Sequence, residues 1–246
     1  MRSLLVATLV LSACAHTPST PSEVDRILLA ADRTEADRTM DSGRRPGPFL
    51  AFVDAKPGMH VGEVFAGSGY TTELLVRAVG PTGKVYGHNT PELLKMFLEK
   101  PWSERLARPV NGSVVRVDRP IESPFPPEAE GTLDRVVTNA NYHDAVAFGN
   151  DRIQMNQAVK TALKSGGTYI VCDSSAKDGS GAADSKTLHR IDQKYVEREI
   201  LMAGFRLVES GDFLRNPGDA RDWNASPIDA GDKRGTSDRF CLKFVK

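Results

Sequence analysis

Two groups of residues in this chain have types and spacings that can do chemistry. The first is Glu63 followed by Ala66, Gly67, Ser68 and Gly69, a carboxylate placed just ahead of a Gly-x-Gly turn. Glycines let a backbone approach a ligand with no Cβ in the way. A helix starting at such a turn adds unpaired N–H groups and the positive end of its dipole. The second group is Asn139, Asn141, Tyr142, His143 and Asp144. Imidazole titrates near neutrality, so His143 is the candidate general base, with Tyr142 and Asp144 beside it as further candidate catalytic groups.

The elements that must position them are readable from periodicity. Lys56-Pro57-Gly58 signals a turn, and residues 60–65 form a short, mostly apolar strand. From Tyr70 onward Leu74, Leu75, Ala78 and Val79 recur at helical spacing, and Gly80-Pro81 stops the helix. Residues 84–88 are a second strand. Strand, glycine turn, helix and strand together make the ligand-binding half of a doubly wound α/β fold. Asn89 follows the second strand, Asp118 ends a third over 110–117, and Asn139 ends a fourth over 133–139. Ligands of open α/β sheets sit at these carboxyl ends. A helix over 152–163, a fifth strand over 168–173, a Gly- and Ser-rich loop expected to be mobile over 174–185 and a helix over 186–203 carrying His189 come next. A strand over 205–211, a polar insert over 212–237 and a last strand over 238–246 close the chain. Ahead of the glycine turn, one amphipathic helix is expected over 22–40 and a short one over 49–53.

The Glu63-x-x-x-Gly67-x-Gly69 pattern resembles motif I of the class I S-adenosylmethionine (SAM)-dependent methyltransferases, with Phe65 where the family has its first glycine. Leu133-Asp134-x-Val136 and the Leu163-to-Val171 run are similar to later segments of that family. Glu63 to Glu73, Asn139 to Asp144, Ser175 to Gly181 and Thr187 to Asp192 look like a group of exported bacterial proteins labelled predicted methyltransferases. The resemblance implies a seven-stranded, mostly parallel Rossmann-like sheet with an N-terminal helical extension. It implies SAM as cofactor and a small-molecule or envelope substrate. Glu63 would face the cofactor's amino end, Ala66 to Gly69 its backbone cradle, Asn89 its ribose, Asp118 its adenine, and Asn139 the end of strand four. Arg44 and Arg45 either reach a carboxylate over that site or form a solvated basic pair. Catechol-type relatives place a metal on acids ending strands four and five. Asp173 fits the second position, but Asn139 stands at the first, so no metal is expected and Asp173 is only a weak candidate.

Composition limits the alternatives. The chain has 246 residues, 40% of them hydrophobic, and 32 basic against 32 acidic residues, enough for one substantial core and without the basic excess of a nucleic-acid binder. The spacing and the residue after strand two fit a nicotinamide poorly. Met1-Arg2, an apolar run to Leu11, and Leu11-Ser12-Ala13-Cys14 resemble a bacterial lipoprotein signal ending in a lipobox. That resemblance implies a signal peptide over 1–13 and an acylated Cys14 as membrane anchor. Ala15, not aspartate, then points to the outer membrane, facing the periplasm. A tether over 14–22, a helical extension over 23–55 and the methyltransferase-like domain over 56–246 complete the organisation. Cys172 and Cys241 fall in two strands. An exported location permits a disulfide, but cross-bridges demand specific geometry, so two buried thiols are favoured. A second functional reading stays open: a lipid-anchored scaffold whose methyltransferase fold has decayed, suggested by Phe65 and Asn89.

Overall fold

The computed structural model of the protein describes residues 22–246; the expected signal peptide, the expected lipidation at Cys14 and the expected tether up to residue 21 lie outside the described residues. Seven strands form one sheet in the order β3-β2-β1-β4-β5-β7-β6. They are β1 (His60–Glu63), β2 (Lys84–Asn89), β3 (Val114–Asp118), β4 (Leu133–Asn139), β5 (Leu163–Ser174), β6 (Arg206–Gly211) and β7 (Arg239–Val245). The first five pair in parallel, and β7 runs antiparallel between β5 and β6. The order reverses between β1 and β4, which opens a crevice at their carboxyl ends. The expected seven-stranded, mostly parallel fold is present.

Alternation along the strands builds the core on both faces. Val136 packs with Tyr86, Tyr169 and Phe244 on one side, while the next residue, Val137, packs with Val61, Val85 and Ile170 on the other. Helix α4 (Tyr70–Val79) covers the second face with α3 (Pro46–Val53); α8 (Arg152–Ala162) and α9 (Gln193–Met202) belong to the first. Among the described residues no helix is long and apolar enough to cross a membrane.

The N-terminal extension is two helices before α3, not one: α1 (Glu23–Leu28) and α2 (Glu35–Arg44). Thr34 breaks the run, because its hydroxyl caps α2 by accepting from the Asp37 N–H at 3.1 Å. Ion pairs then clamp the extension to the sheet helices. Arg77 forks onto Asp32 at 2.9 Å and Arg105 onto Asp37 at 2.6 and 2.8 Å, and Arg77, Arg105 and Arg108 all reach Glu73 of α4. After β2 the chain passes through α5 (Pro91–Leu93) and a π turn into α6 (Glu99–Leu106), and α7 (Tyr142–Ala147) follows β4.

Two further expectations are corrected. The helix expected from residue 186 starts only at Gln193, capped by Asp192, whose carboxylate accepts from Lys194 N–H at 2.9 Å. Residues 186–192 instead fold back along β5: Ile191 N–H donates to Ser174 O at 3.0 Å and Ala176 N–H to Ile191 O at 2.9 Å. His189 therefore lies on a turn beside the strand end, not on a helix. Cys172 and Cys241 are direct partners in the antiparallel β5–β7 register and form a disulfide, not two thiols. The register supplies the geometry that spacing along the chain could not reveal.

Candidate functional site at the carboxyl ends of the strands

The glycine turn hangs between β1 and β2. Val64 N–H donates to Val137 O at 2.9 Å and Ala66 N–H to His88 O at 2.7 Å. Phe65 sits at φ 57°, a conformation that costs a residue with a Cβ about 1 kcal/mol. Its ring is buried in the core 6.0 Å from the His88 imidazole, which offsets that cost. The two glycines serve different ends. A Cβ on Gly69 would stand 2.6 Å from the Trp102 ring and 2.7 Å from Arg105. A Cβ on Gly67, at φ 59°, would meet nothing within 4 Å. Gly69 lets the turn pack inward; Gly67 faces open space.

Two polar residues brace this turn. Asn89 accepts from Gly67 N–H at 2.9 Å and donates to Gly67 O at 3.0 Å. Its amide is fully buried and engaged by the turn, which corrects its assignment to a ribose. His88, which sequence reasoning passed over, accepts from Phe65 N–H at Nδ1 and donates from Nε2 to Arg119 O at 2.9 Å. Burial pulls its pKa down to about 4, so the ring is neutral and holds this tautomer.

Glu63 is 3% exposed, and Thr72 Oγ1 donates to it at 2.5 Å. Burial raises its pKa to about 8, against the opposing pull of Thr72 and of the nearby Arg44 guanidinium. Arg44, at the end of α2, lies 4.8 Å over the Tyr70 ring, and burial lowers its pKa. Arg239 donates to Gly43 O, while its buried Nε has no partner. Its pKa falls to about 10 through burial and the neighbouring Arg44. Among the described residues Arg44, Arg45, Arg234 and Arg239 make no ion pair. The remaining cradle candidates are spread wider. Ser68 is exposed, Ala66 is buried, and Asp118 lies opposite Asn89 at the end of β3, bound to Arg116 at 2.9 Å.

The second group divides. Asn139 donates to Thr71 Oγ1 at 3.2 Å and Asn141 to Phe65 O at 2.7 Å, tying the end of β4 to the glycine turn. Tyr142 turns away: its ring is fully buried, and its hydroxyl donates to Glu199 and accepts from Asn156, both at 2.9 Å. It is a core residue, which corrects its catalytic assignment. His143 instead reaches the end of β5. Its backbone N–H donates to Asp173 Oδ2 at 2.8 Å, and its Nδ1 lies 2.7 Å from Asp173 Oδ1. Its Nε2 lies 3.2 Å from His189 Nδ1 and 3.4 Å from Asp144 Oδ1. Burial lowers the His143 pKa, but the Asp173 and Asp144 carboxylates outweigh it and hold it at about 9. The imidazole is thus not the neutral base expected from an unperturbed histidine. The sequence hinted at His189 through the Thr187-to-Asp192 motif, but nothing linked it to His143.

A cavity of about 360 Å³ lies beyond Ser175, between Arg215, Arg221 and Asp238, past β5 and away from the glycine turn.

No protein-family model matches this sequence, and no curated protein sequence does. Solved structures share the fold. One is a SAM-dependent methyltransferase from Aquifex aeolicus, 16% identical, covering 86% of this chain and 95% of its own, with a TM-score of 0.61. A SAM-dependent O-methyltransferase from Thermotoga maritima is 19% identical over 92% of this chain and 71% of its own, with a TM-score of 0.53. The fold is that of the SAM-dependent methyltransferases. The [4+2]-cyclase SpnF has it too, at 14% identity over 86% of this chain and 80% of its own, with a TM-score of 0.58. The fold thus carries more than one reaction, and the chemistry must be argued from the site.

Proposed function

We propose that this protein is a SAM-dependent methyltransferase acting on a small molecule, exported and anchored at Cys14. The observation that carries the reading is the turn between Glu63 and Gly69, where Gly67 leaves its Cβ direction open beside a buried carboxylate. The residues fit the cofactor best at its amino-acid end. Glu63 suits an ammonium, and Arg44 with the unpartnered Arg239 Nε suits a carboxylate. Asn89 contributes indirectly, by fixing the Gly67 peptide. SAM supplies a methyl group on a sulfonium, already electrophilic. The chain's own work is then to position an acceptor at the ends of β4 and β5 and to move its proton. The cluster of His143, Asp144 and His189 is our candidate for both. Export is supported by the lipobox and by the disulfide, since disulfides persist in oxidising compartments.

The scaffold reading keeps one specific support: the Asn89 amide is already engaged by the Gly67 peptide in the structure itself. Titration calorimetry with SAM and its demethylated product separates the two. The wild type is expected to bind both. Gly67→Arg is expected to weaken binding at least about 100-fold while costing stability only the about 1 kcal/mol of its backbone conformation. Gly69→Ala should instead cost about 2–3 kcal/mol through its clash with Trp102, read by denaturant unfolding. No binding by the folded wild type would leave the scaffold.

A further inference from the structure

We propose that His143, Asp144 and His189 form a binding site for one divalent metal ion of the zinc type, with Asp173 orienting His143 from behind. The site is independent of the methyl-transfer reading, because ion binding is measured without SAM.

The distances carry the inference. His143 Nε2, His189 Nδ1 and Asp144 Oδ1 are separated by 3.2, 3.4 and 3.7 Å. Ligand atoms held about 2.0–2.1 Å from a tetrahedral zinc ion stand about 3.3–3.4 Å apart. A facial octahedral set on similar arms would stand about 3.0 Å apart, closer than these atoms. The three atoms are therefore spaced to share one ion, with tetrahedral favoured over octahedral.

The surroundings agree. A metal-bound histidine normally donates its other ring N–H to a carboxylate, which fixes ring and tautomer. His143 Nδ1 meets Asp173 Oδ1 in that way at 2.7 Å. Asp173 is in turn held by the His143 and Ser174 backbone N–H groups at 2.8 and 2.7 Å and is fully buried. In this proposal Asp173, a weak candidate ligand by sequence, sits behind the ligands. His189 occupies φ 49°, a strained backbone held in place by the Ile191 bonds to β5. Such strain concentrates at functional positions. The Asp144 and Asp173 carboxylates would balance a doubly charged ion, whose binding would displace any proton from the coordinating ring nitrogens. The His189 and Asp144 side chains remain 32% and 24% exposed, so a fourth position would be open to solvent. Three protein ligands and an open position are the arrangement of a catalytic rather than a structural zinc. An acceptor hydroxyl or water bound there would lose its proton more readily, which is the task methyl transfer to oxygen requires.

The test is a titration of metal-free protein with zinc against a chromophoric chelator, paired with cobalt(II) absorption spectra. The expected result is one zinc per chain and the intense visible bands of tetrahedral cobalt. His189→Ala and Asp144→Asn, both on partly exposed positions, should each weaken zinc at least about 100-fold while the metal-free protein melts as before. Asp173→Asn should weaken it about 10–100-fold, as expected of an orienting carboxylate. Zinc binding left unchanged by His189→Ala and Asp144→Asn would overturn the site, as would no stoichiometric binding by the wild type. Weak octahedral cobalt bands would overturn the zinc-type assignment.

Discussion

Replacing Cys172 and Cys241 together by alanine is expected to lower stability by about 4 kcal/mol. The bond closes a loop with a sequence separation of 69, and a cross-link of that span removes about 4 kcal/mol of chain entropy from the unfolded state. Both cysteines are buried in the second core face with Val61, Val137 and Ile170, so alanine also leaves unfilled space there. For a domain of this size the loss corresponds to roughly 8–16 °C in melting temperature. Thermal unfolding of the oxidised protein and of the double variant reads the effect, and non-reducing peptide mapping should recover the two cysteines joined. A variant melting with the wild type, or two titratable native thiols, would return these residues to the unpaired state suggested by the sequence alone.

Glu63→Gln should have opposite effects on stability and on cofactor binding. The folded pKa of Glu63 lies near 8, above its ordinary 4.5, because burial disfavours the charge. The folded state therefore binds more protons than the unfolded state between these values, and stability falls as pH rises through that window. Glutamine carries no charge to bury. At pH 5 the variant should unfold close to the wild type; at pH 9 it should be more stable by about 2 kcal/mol or more. The same change removes the carboxylate proposed for the amino group of SAM. A charge-assisted hydrogen bond of about 1.5–3 kcal/mol is then lost, and affinity should fall about 10- to 100-fold. A residue kept for packing alone would move stability without moving affinity.

Architecture was largely legible in the sequence because it follows from short-range signals. The strand, glycine turn and helix around Glu63 and Gly69 declare themselves by a change of period, and the order of later elements dictates the sheet. What stayed hidden depends on register and on contacts between distant segments. Cys172 and Cys241 meet only because β7 inserts antiparallel beside β5. Tyr142 sits next to His143 in sequence, yet the start of α7 turns one toward Glu199 and Asn156 in the core and the other toward Asp173 at the end of β5. Asn89 has the side chain to bind a ribose, but the Gly67 peptide is nearer. His189 reads as helical by spacing, and the hydrogen bonds of Ile191 to β5 override that preference. The split helix over 22–40 follows from the cap at Thr34, which amphipathic spacing alone does not reveal.

The most direct test of the central claim is a crystal structure of the protein grown with S-adenosylhomocysteine. The nucleoside is expected over Gly67 at the ends of β1 and β2, its amino-acid end between Glu63, Arg44 and Arg239. A ligand found elsewhere, such as the cavity beyond Ser175, or a glycine turn left bare at saturating ligand, would contradict it.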